Sequence, residues 1–177
     1  MRSFIVAAVA TLLLPTAAAA QKTTYDYDKS ATFDAYKTYT LKDGTKVGDP
    51  LIDNRIVNAL EAELKKKGLT RSDTTPDLAI VYHVAFDKQQ DITAWNTGGG
   101  PYRYGWGGGW GTTDIRVNEI LVGTLVVDIA DVKTNQVVWR GLGVKEVNTT
   151  AKPEQRDKSI QQAVQKILKE YPPKIKK

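Results

Sequence analysis

The sequence predicts an α+β fold, in which a mainly antiparallel sheet carries two helices packed on one face as a two-layer sandwich. Three observations support this prediction. The chain reads as two short strands, a helix, several strands and a second helix, and each helix has a single apolar stripe. The regular strand–helix alternation of a doubly wound nucleotide-binding fold is absent. The chain has 177 residues, of which 41% are hydrophobic, which is enough for one core.

The N-terminal segment is typical of a signal peptide. Arg2 supplies a positive charge, and residues 4–14 are almost wholly apolar, but this run is shorter than the ~20 residues that a membrane-spanning helix needs. Ala18 and Ala20 are the small residues that a signal peptidase requires. We therefore predict a signal peptide at residues 1–20 with cleavage after Ala20; an uncleaved signal anchor is the alternative.

Cleavage predicts a single mature domain, residues 21–177, that is periplasmic or secreted. The sequence shows no second hydrophobic run, so we expect no integral membrane span. It contains no cysteine, which excludes disulfides, thiolate metal sites and the lipid anchor of a bacterial lipoprotein. Residues 172–177 form a basic tail, which we expect to be a flexible, solvated terminus with weak attraction to anionic surfaces.

The first half of the mature chain predicts two strands and a helix. Residues 25–28 alternate aromatic and acidic side chains, and residues 36–41 follow the same period of two. The helix is predicted to have Asp49 as its N-cap and Pro50 in its first turn, and to end at Gly68. Its apolar stripe comprises Ile52, Ile56, Leu60 and Leu64.

The second half predicts the centre of the sheet and the last helix. Residues 78–86 are apolar in both phases, which predicts a central strand covered on both faces. Residues 115–129 are the next strand, with a bend at Gly123. A turn at residues 131–135 leads into residues 137–147 as an antiparallel hairpin. The last helix begins at Pro153, and its apolar stripe comprises Ile160, Ala163, Val164, Ile167, Leu168 and Tyr171.

Seven short motifs follow one another along the chain: Tyr36-Lys37-Thr38-Tyr39, Asp49-Pro50-Leu51, Lys67-Gly68-Leu69, Pro76-Asp77-Leu78, Gly123-Thr124-Leu125-Val126-Val127-Asp128, Trp139-Arg140-Gly141 and Tyr171-Pro172-Pro173. In this order they resemble the bacterial family called domain of unknown function 4136 (DUF4136), and the fifth and sixth motifs are the most specific. The resemblance covers nearly all of the mature chain. It implies a cell-envelope protein, often lipid-anchored. Many relatives carry a lipobox cysteine that this chain lacks, so here we expect export without the anchor.

The most unusual segment is rich in glycine and aromatic residues. Of the fourteen residues 98–111, eight are glycine. Glycine gives up much backbone entropy in regular structure, while exposed aromatic rings can stack on sugars, insert at a lipid interface or pack on a protein. The alternative is a surface loop whose rings fold back over the sheet edge. The candidate binding residues are Trp95, Tyr102, Arg103, Tyr104, Trp106 and Trp110.

We interpret Asp128, Trp139, Arg140 and Gly141 as a structural motif. A hairpin register that pairs Val126 with Arg140 makes Asp128 and Arg140 diagonal neighbours on one face, whereas a slip of one residue separates them. An ion pair that fixes the register is the favoured interpretation, with Trp139 packing on the other face.

The residue inventory predicts no catalytic residue, metal site or cofactor. The single histidine, His83, lies among small apolar residues without spaced ligand partners, so we interpret it as a hydrogen-bonded structural residue. Nucleic acid is not expected as a partner, because the chain is predicted to be exported and has no recognised binding module.

These observations favour a non-enzymatic envelope protein that binds an envelope component (a glycan, lipid or protein) through the Gly/aromatic segment. One alternative is a carbohydrate-processing enzyme with two carboxylates in a cleft under that segment. Another is a structural assembly factor of an outer-membrane complex.

Overall fold

The computed structural model describes residues 21–96 and 113–174. The predicted signal peptide, the Gly/aromatic segment of residues 98–111 and the last three residues of the basic tail lie outside this part of the chain. The described strands form one sheet in the order β1-β6-β5-β4-β2-β3. Its elements are β1 (Lys22–Tyr27), β2 (Thr38–Lys42), α1 (Pro50–Lys66), β3 (Thr70–Arg71), β4 (Leu78–Asn96), β5 (Thr113–Asp131), β6 (Gln136–Glu146) and α2 (Pro153–Ile167).

The predicted α+β class is confirmed, with two helices on one face of a mostly antiparallel sheet. Strands β1, β6, β5 and β4 pair antiparallel. At the other edge β2 runs parallel to both β3 and β4. Parallel neighbours need a crossover connection, and α1 supplies it between β2 and β3. The sheet is therefore mixed at one edge.

The local signals for α1 and for the start of α2 are confirmed. Asp49 caps α1, because its Oδ1 accepts the backbone N–H of Leu51 at 2.9 Å, and Pro50 is the first helical residue. Gly68 adopts a positive φ of 82° directly after the C-cap residue Lys67, as a C-terminal glycine does.

Pro153 begins α2, as its sequence predicts. The α-helix ends at Ile167, so Leu168 and Tyr171, which the sequence placed on its apolar stripe, follow it instead, and Leu168 begins a short 3-10 turn.

Strands β4 and β5 are longer than predicted and pair along their whole length, from Leu78 opposite Asp131 to Asn96 opposite Thr113. The pairing runs through Gly123 without a break, so the bend expected there is not an interruption of the ladder. Strand β6 ends where Glu146 pairs with Val122. Beyond that point the described sheet continues as a two-stranded ribbon formed by β4 and β5.

The core lies between the sheet and the two helices. Tyr82, Val127 and Trp139 project from the sheet into this layer and are buried. On the opposite face of β4, Val81 and His83 are only half-buried. The expectation that β4 is covered on both faces is therefore wrong, because both helices pack on the same side of the sheet.

Asp77, which directly precedes β4, forms hydrogen bonds to the residues at the start of β2. Its Oδ2 accepts the backbone N–H groups of Lys37 and Thr38, both at 2.9 Å, and the hydroxyl of Thr38 at 2.9 Å. The N–H of Lys37, followed by the two groups of Thr38, lowers the pKa of Asp77 below its ordinary value. A carboxylate that is hydrogen-bonded in this way stabilises the fold only while it is ionised.

Replacing Asp77 with Asn is expected to lower the free energy of unfolding by about 1 kcal/mol at pH 7, because a neutral amide accepts these bonds less strongly. The folded pKa is depressed, so the stabilisation is complete above the unfolded value of 3.8 and is lost as the pH falls through the folded pKa. Urea unfolding at pH 7 and pH 3 measures this, with exposed Asp34→Asn as the control. A difference between wild type and D77N that does not shrink at pH 3 would contradict the assignment.

Candidate functional site

The structure brings the end of the long ribbon next to the Gly/aromatic segment. Trp95 lies near the end of β4, where its backbone pairs with Asp114 of β5. The other candidate binding residues lie outside the described residues: Tyr102, Arg103, Tyr104, Trp106 and Trp110. The last described pair of the ribbon is Asn96 with Thr113, the two residues between which the Gly/aromatic segment is inserted in the sequence.

Asp128 and Arg140 form an ion pair on the sheet face that the helices leave open. They are directly opposite each other in β5 and β6, whereas Val126 pairs with Leu142, so the diagonal arrangement considered from the sequence is not the observed one. Arg140 Nε lies 2.5 Å from Asp128 Oδ1, and Nη2 lies 2.8 Å from Oδ2. Trp139 projects from the opposite face and is fully buried.

Replacing Arg140 with Met is expected to lower the free energy of unfolding by about 1 kcal/mol. The Asp128 side chain is only 11% exposed, so without Arg140 a largely buried carboxylate has lost both of these hydrogen bonds. The double variant D128N/R140M should be more stable than R140M alone, since it also removes that charge. A double-mutant cycle measured by urea unfolding checks this order of stabilities. The prediction is contradicted if R140M is as stable as the double variant or more stable.

A cavity of about 640 Å³ opens between the helix-covered face of the sheet and the ends of α1 and α2, near the base of the ribbon. Most of its walls are apolar: Ile52 and Ile56 from α1, Ile160 from α2, and Val84, Phe86, Leu121 and Leu125 from β4 and β5. Its size and apolar lining are those of a small-molecule site.

Two glycines of the sheet line this space and add no side chain to it. Gly143 of β6 lines the cavity, and a Cβ there would lie 2.8 Å from Ile167 Cδ1. Gly123 of β5 also lines it, and a Cβ there would lie 2.9 Å from Val147 Cγ2. Sequence reasoning missed this cavity; the available signal was a glycine at each of these two inward-facing positions of the sheet.

The two cationic side chains that line the cavity, Lys145 and Arg156, are hydrogen-bonded to α2 and to the segment that precedes it. Lys145 Nζ donates to Ser159 Oγ at 2.8 Å. At the rim, Arg156 donates through Nε to the carbonyl of Ala151 at 2.9 Å and through Nη2 to that of Thr149 at 2.8 Å. A mostly apolar space with a few fixed polar groups suits a ligand that is largely hydrophobic.

Two other titratable side chains, His83 and Tyr82, make contacts that are typical of structural residues. His83 accepts the backbone N–H of Thr45 at Nδ1 over 3.1 Å. Burial, and then the charge and hydrogen bond of Asp53, raise the pKa of Tyr82 to about 12, so its phenol stays protonated at neutral pH. In residues 21–96 and 113–174, no group of three or more histidine or acidic side chains is placed to hold a metal ion.

The fold and this cavity define the chain as an α+β two-layer sandwich with one open sheet face and a pocket at the end of its core. More particularly, the chain belongs to the family described as "Domain of unknown function (DUF4136)", whose sequence profile matches residues 23–173. The resemblance seen in the sequence motifs is thus confirmed. No curated protein matches the chain.

Solved structures share the fold at low identity. A PDZ domain protein from Parabacteroides distasonis is 21% identical with a TM-score of 0.56; the match covers 88% of this chain and 36% of that protein, so this chain spans about a third of its length. PelC from Paraburkholderia phytofirmans, solved as a dodecamer, is 10% identical with a TM-score of 0.51; the match covers 84% of this chain and 96% of PelC. At these identities the similarity shows the fold alone. Neither helix in the described part of the chain has the length and apolar character needed to cross a bilayer.

Proposed function

We propose that this chain is a non-catalytic binding protein of the cell envelope, which accommodates a hydrophobic molecule in the cavity between its sheet and helices. The observation that carries the proposal is the cavity of about 640 Å³ with apolar walls. A void of this size lined by apolar side chains leaves those side chains without packing partners, so a protein gains stability when a ligand fills it.

The acid–base inventory of the cavity supports a binding role over catalysis. A glycosidase needs two carboxyl groups on opposite sides of the bond that it cleaves. Among the described residues that line the cavity, Glu146 is the only acid. The carbohydrate-processing enzyme considered from the sequence therefore gains no support from this pocket.

The envelope location rests on the predicted signal peptide at residues 1–20, and the Gly/aromatic segment remains the predicted contact with a glycan, lipid or protein of the envelope. The pairing of β4 with β5 up to Asn96 and Thr113 supports this proposal, because it joins the segment to the rest of the fold through a two-stranded ribbon. The alternative role as an assembly factor is not favoured by any described contact. It predicts a defined oligomer, which sedimentation velocity of the purified protein detects.

A larger side chain in the cavity tests the proposed binding role, because it occupies space that a ligand would fill. Leu121 lines the cavity and is half-buried, so Leu121→Trp is expected to weaken binding of the neutral apolar probe N-phenyl-1-naphthylamine at least tenfold, as about 1.4 kcal/mol of lost contact would. The matched control is Leu51→Trp, which adds the same ring at a position that is 65% exposed on α1 and outside the cavity lining. Probe fluorescence measures both. An equal loss in both variants, or no probe binding by the wild type, would count against the proposal.

A further inference from the structure

Lys145 occupies a position where a cation is unexpected. Side chains alternate along β6, and Trp139, Gly141 and Gly143 all lie in the phase that faces the helices and are buried. Lys145 is the next residue in that phase, and it lines the cavity. Lysine is seldom placed on the covered side of a sheet unless a counter-charge accompanies it.

No counter-charge of Lys145 is present in the part of the chain that the structure describes. The ion pairs found there involve other residues, and the ammonium donates instead to the neutral hydroxyl of Ser159 at 2.8 Å. An ammonium has three donors, so two are left for a ligand. Lys145 itself is half-buried, so solvent reaches it through the open cavity.

The other charges around the cavity leave it positive. Arg156 lies at the rim, where the carbonyl groups of Thr149 and Ala151 fix its guanidinium through Nε and Nη2. Glu146 also lines the cavity, but it lies in the opposite phase of β6 and is exposed, so solvent screens its charge. The apolar walls therefore enclose a space whose lining includes two cations, the half-buried Lys145 and the exposed Arg156 at the rim.

We infer that the ligand of this cavity is a free single-chain anionic amphipath of the fatty-acid type. Its carboxylate binds Lys145 Nζ and accepts the donors that Ser159 leaves free, while its hydrocarbon chain lies along the apolar walls. This inference rests on the proposed function, because it specifies the chemistry of a ligand that the cavity is proposed to hold. Charge-assisted hydrogen bonds in a partly desolvated site give the acid group its selectivity.

The test compares two ligands that differ only in the head group. Dodecanoate and 1-dodecanol displace N-phenyl-1-naphthylamine from the purified protein, both below their solubility limits. The wild type is expected to bind dodecanoate about tenfold more tightly than 1-dodecanol, the factor that about 1.4 kcal/mol supplies. Lys145→Met should abolish this preference and leave 1-dodecanol affinity within about twofold, which also shows that the cavity of the variant is intact. Lys158→Met, an exposed lysine of α2 outside the cavity lining, should keep the preference.

The failures of the two proposals give different results. Equal affinity for the two ligands in the wild type, or an unchanged preference in K145M, overturns the anionic assignment while the probe still binds. Absence of probe binding in the wild type overturns the proposed function itself. Tighter binding to phosphatidylglycerol vesicles than to dodecanoate overturns the assignment to a free single-chain ligand.

Discussion

Replacing Trp139 with Ala is expected to lower the free energy of unfolding by about 3–5 kcal/mol. Trp139 has no exposed surface and is the largest fully buried side chain among the described residues. Its ring packs edge-on against Tyr171, with ring centroids 5.5 Å apart. The indole thus joins β6 to the segment that follows α2, and its removal leaves a void that the rigid sheet cannot close.

Urea unfolding monitored by circular dichroism measures this loss. The matched control is Val137→Ala in the same strand, where the side chain is 48% exposed and the expected change is within about 0.5 kcal/mol. Trp139→Phe should cost less than half as much as W139A. It keeps a ring in the core and gives up no hydrogen bond within the described residues, where the indole Nε1 has no acceptor. A loss below 2 kcal/mol for W139A would contradict the central position assigned to Trp139.

The features of the fold that could be predicted from the sequence are those that depend on residues close to one another in the chain. Asp49 and Pro50 at the start of α1, and Gly68 after its end, act within a few residues of their own positions, so their chemistry can be read without knowing the fold. The hairpin turn is similar, since Asn135 adopts a φ of 54° between β5 and β6. The parallel pairing of β2 with β4 was missed because it depends on α1 crossing the sheet, a contact between distant parts of the chain.

In the pairing of β5 with β6, one inserted residue determines whether Asp128 and Arg140 lie on the same face of the sheet. The ladder shifts at Ile129 and Ala130, so Val138 is an extra residue on β6. Without this bulge Ile129 would pair with Val138, and Asp128 and Arg140 would lie on opposite faces. A pattern of alternating residues cannot reveal an inserted one, so from sequence the ion pair could only be stated as one of two registers.

The ribbon and the cavity escaped prediction for two different reasons. The outer part of β4 begins Asp87-Lys88-Gln89-Gln90, and these side chains are exposed, so no buried face imposes an apolar period. The cavity depends on two quantities: the missing side-chain volume at Gly123 and Gly143, which line it, and the position of the first turns of α1 and α2 against the sheet. Neither quantity has a signal in hydrophobic periodicity, which reports only which residues face a core.

Gly141→Ala is expected to lower the free energy of unfolding by about 2–3 kcal/mol, although it adds a single methyl group. Gly141 is buried beside Trp139, and a Cβ at this position would overlap the outer edge of the indole and lie 2.7 Å from Ile167 Cγ2 of α2. The indole is rigid and enclosed, so either the ring or the helix must move. A Cβ at Gly143 would also be crowded, 2.8 Å from Cδ1 and 2.9 Å from Cγ1 of Ile167, but it would meet no aromatic ring, so Gly143→Ala should cost less than Gly141→Ala.

A double-mutant cycle shows whether contact with the indole causes the loss of stability expected for Gly141→Ala. In the W139A background the ring is gone, so adding Gly141→Ala should change the free energy of unfolding by less than about 1 kcal/mol. If the full 2–3 kcal/mol persists there, the cost comes from Ile167 or from the backbone and the role assigned to the pair is wrong. The expected coupling would explain why tryptophan and glycine stand two residues apart in the Trp139-Arg140-Gly141 motif. Trp139 and Gly141 lie on the same face of β6, so the glycine leaves room for the indole ring. Arg140, between them, lies on the opposite face and contacts Asp128.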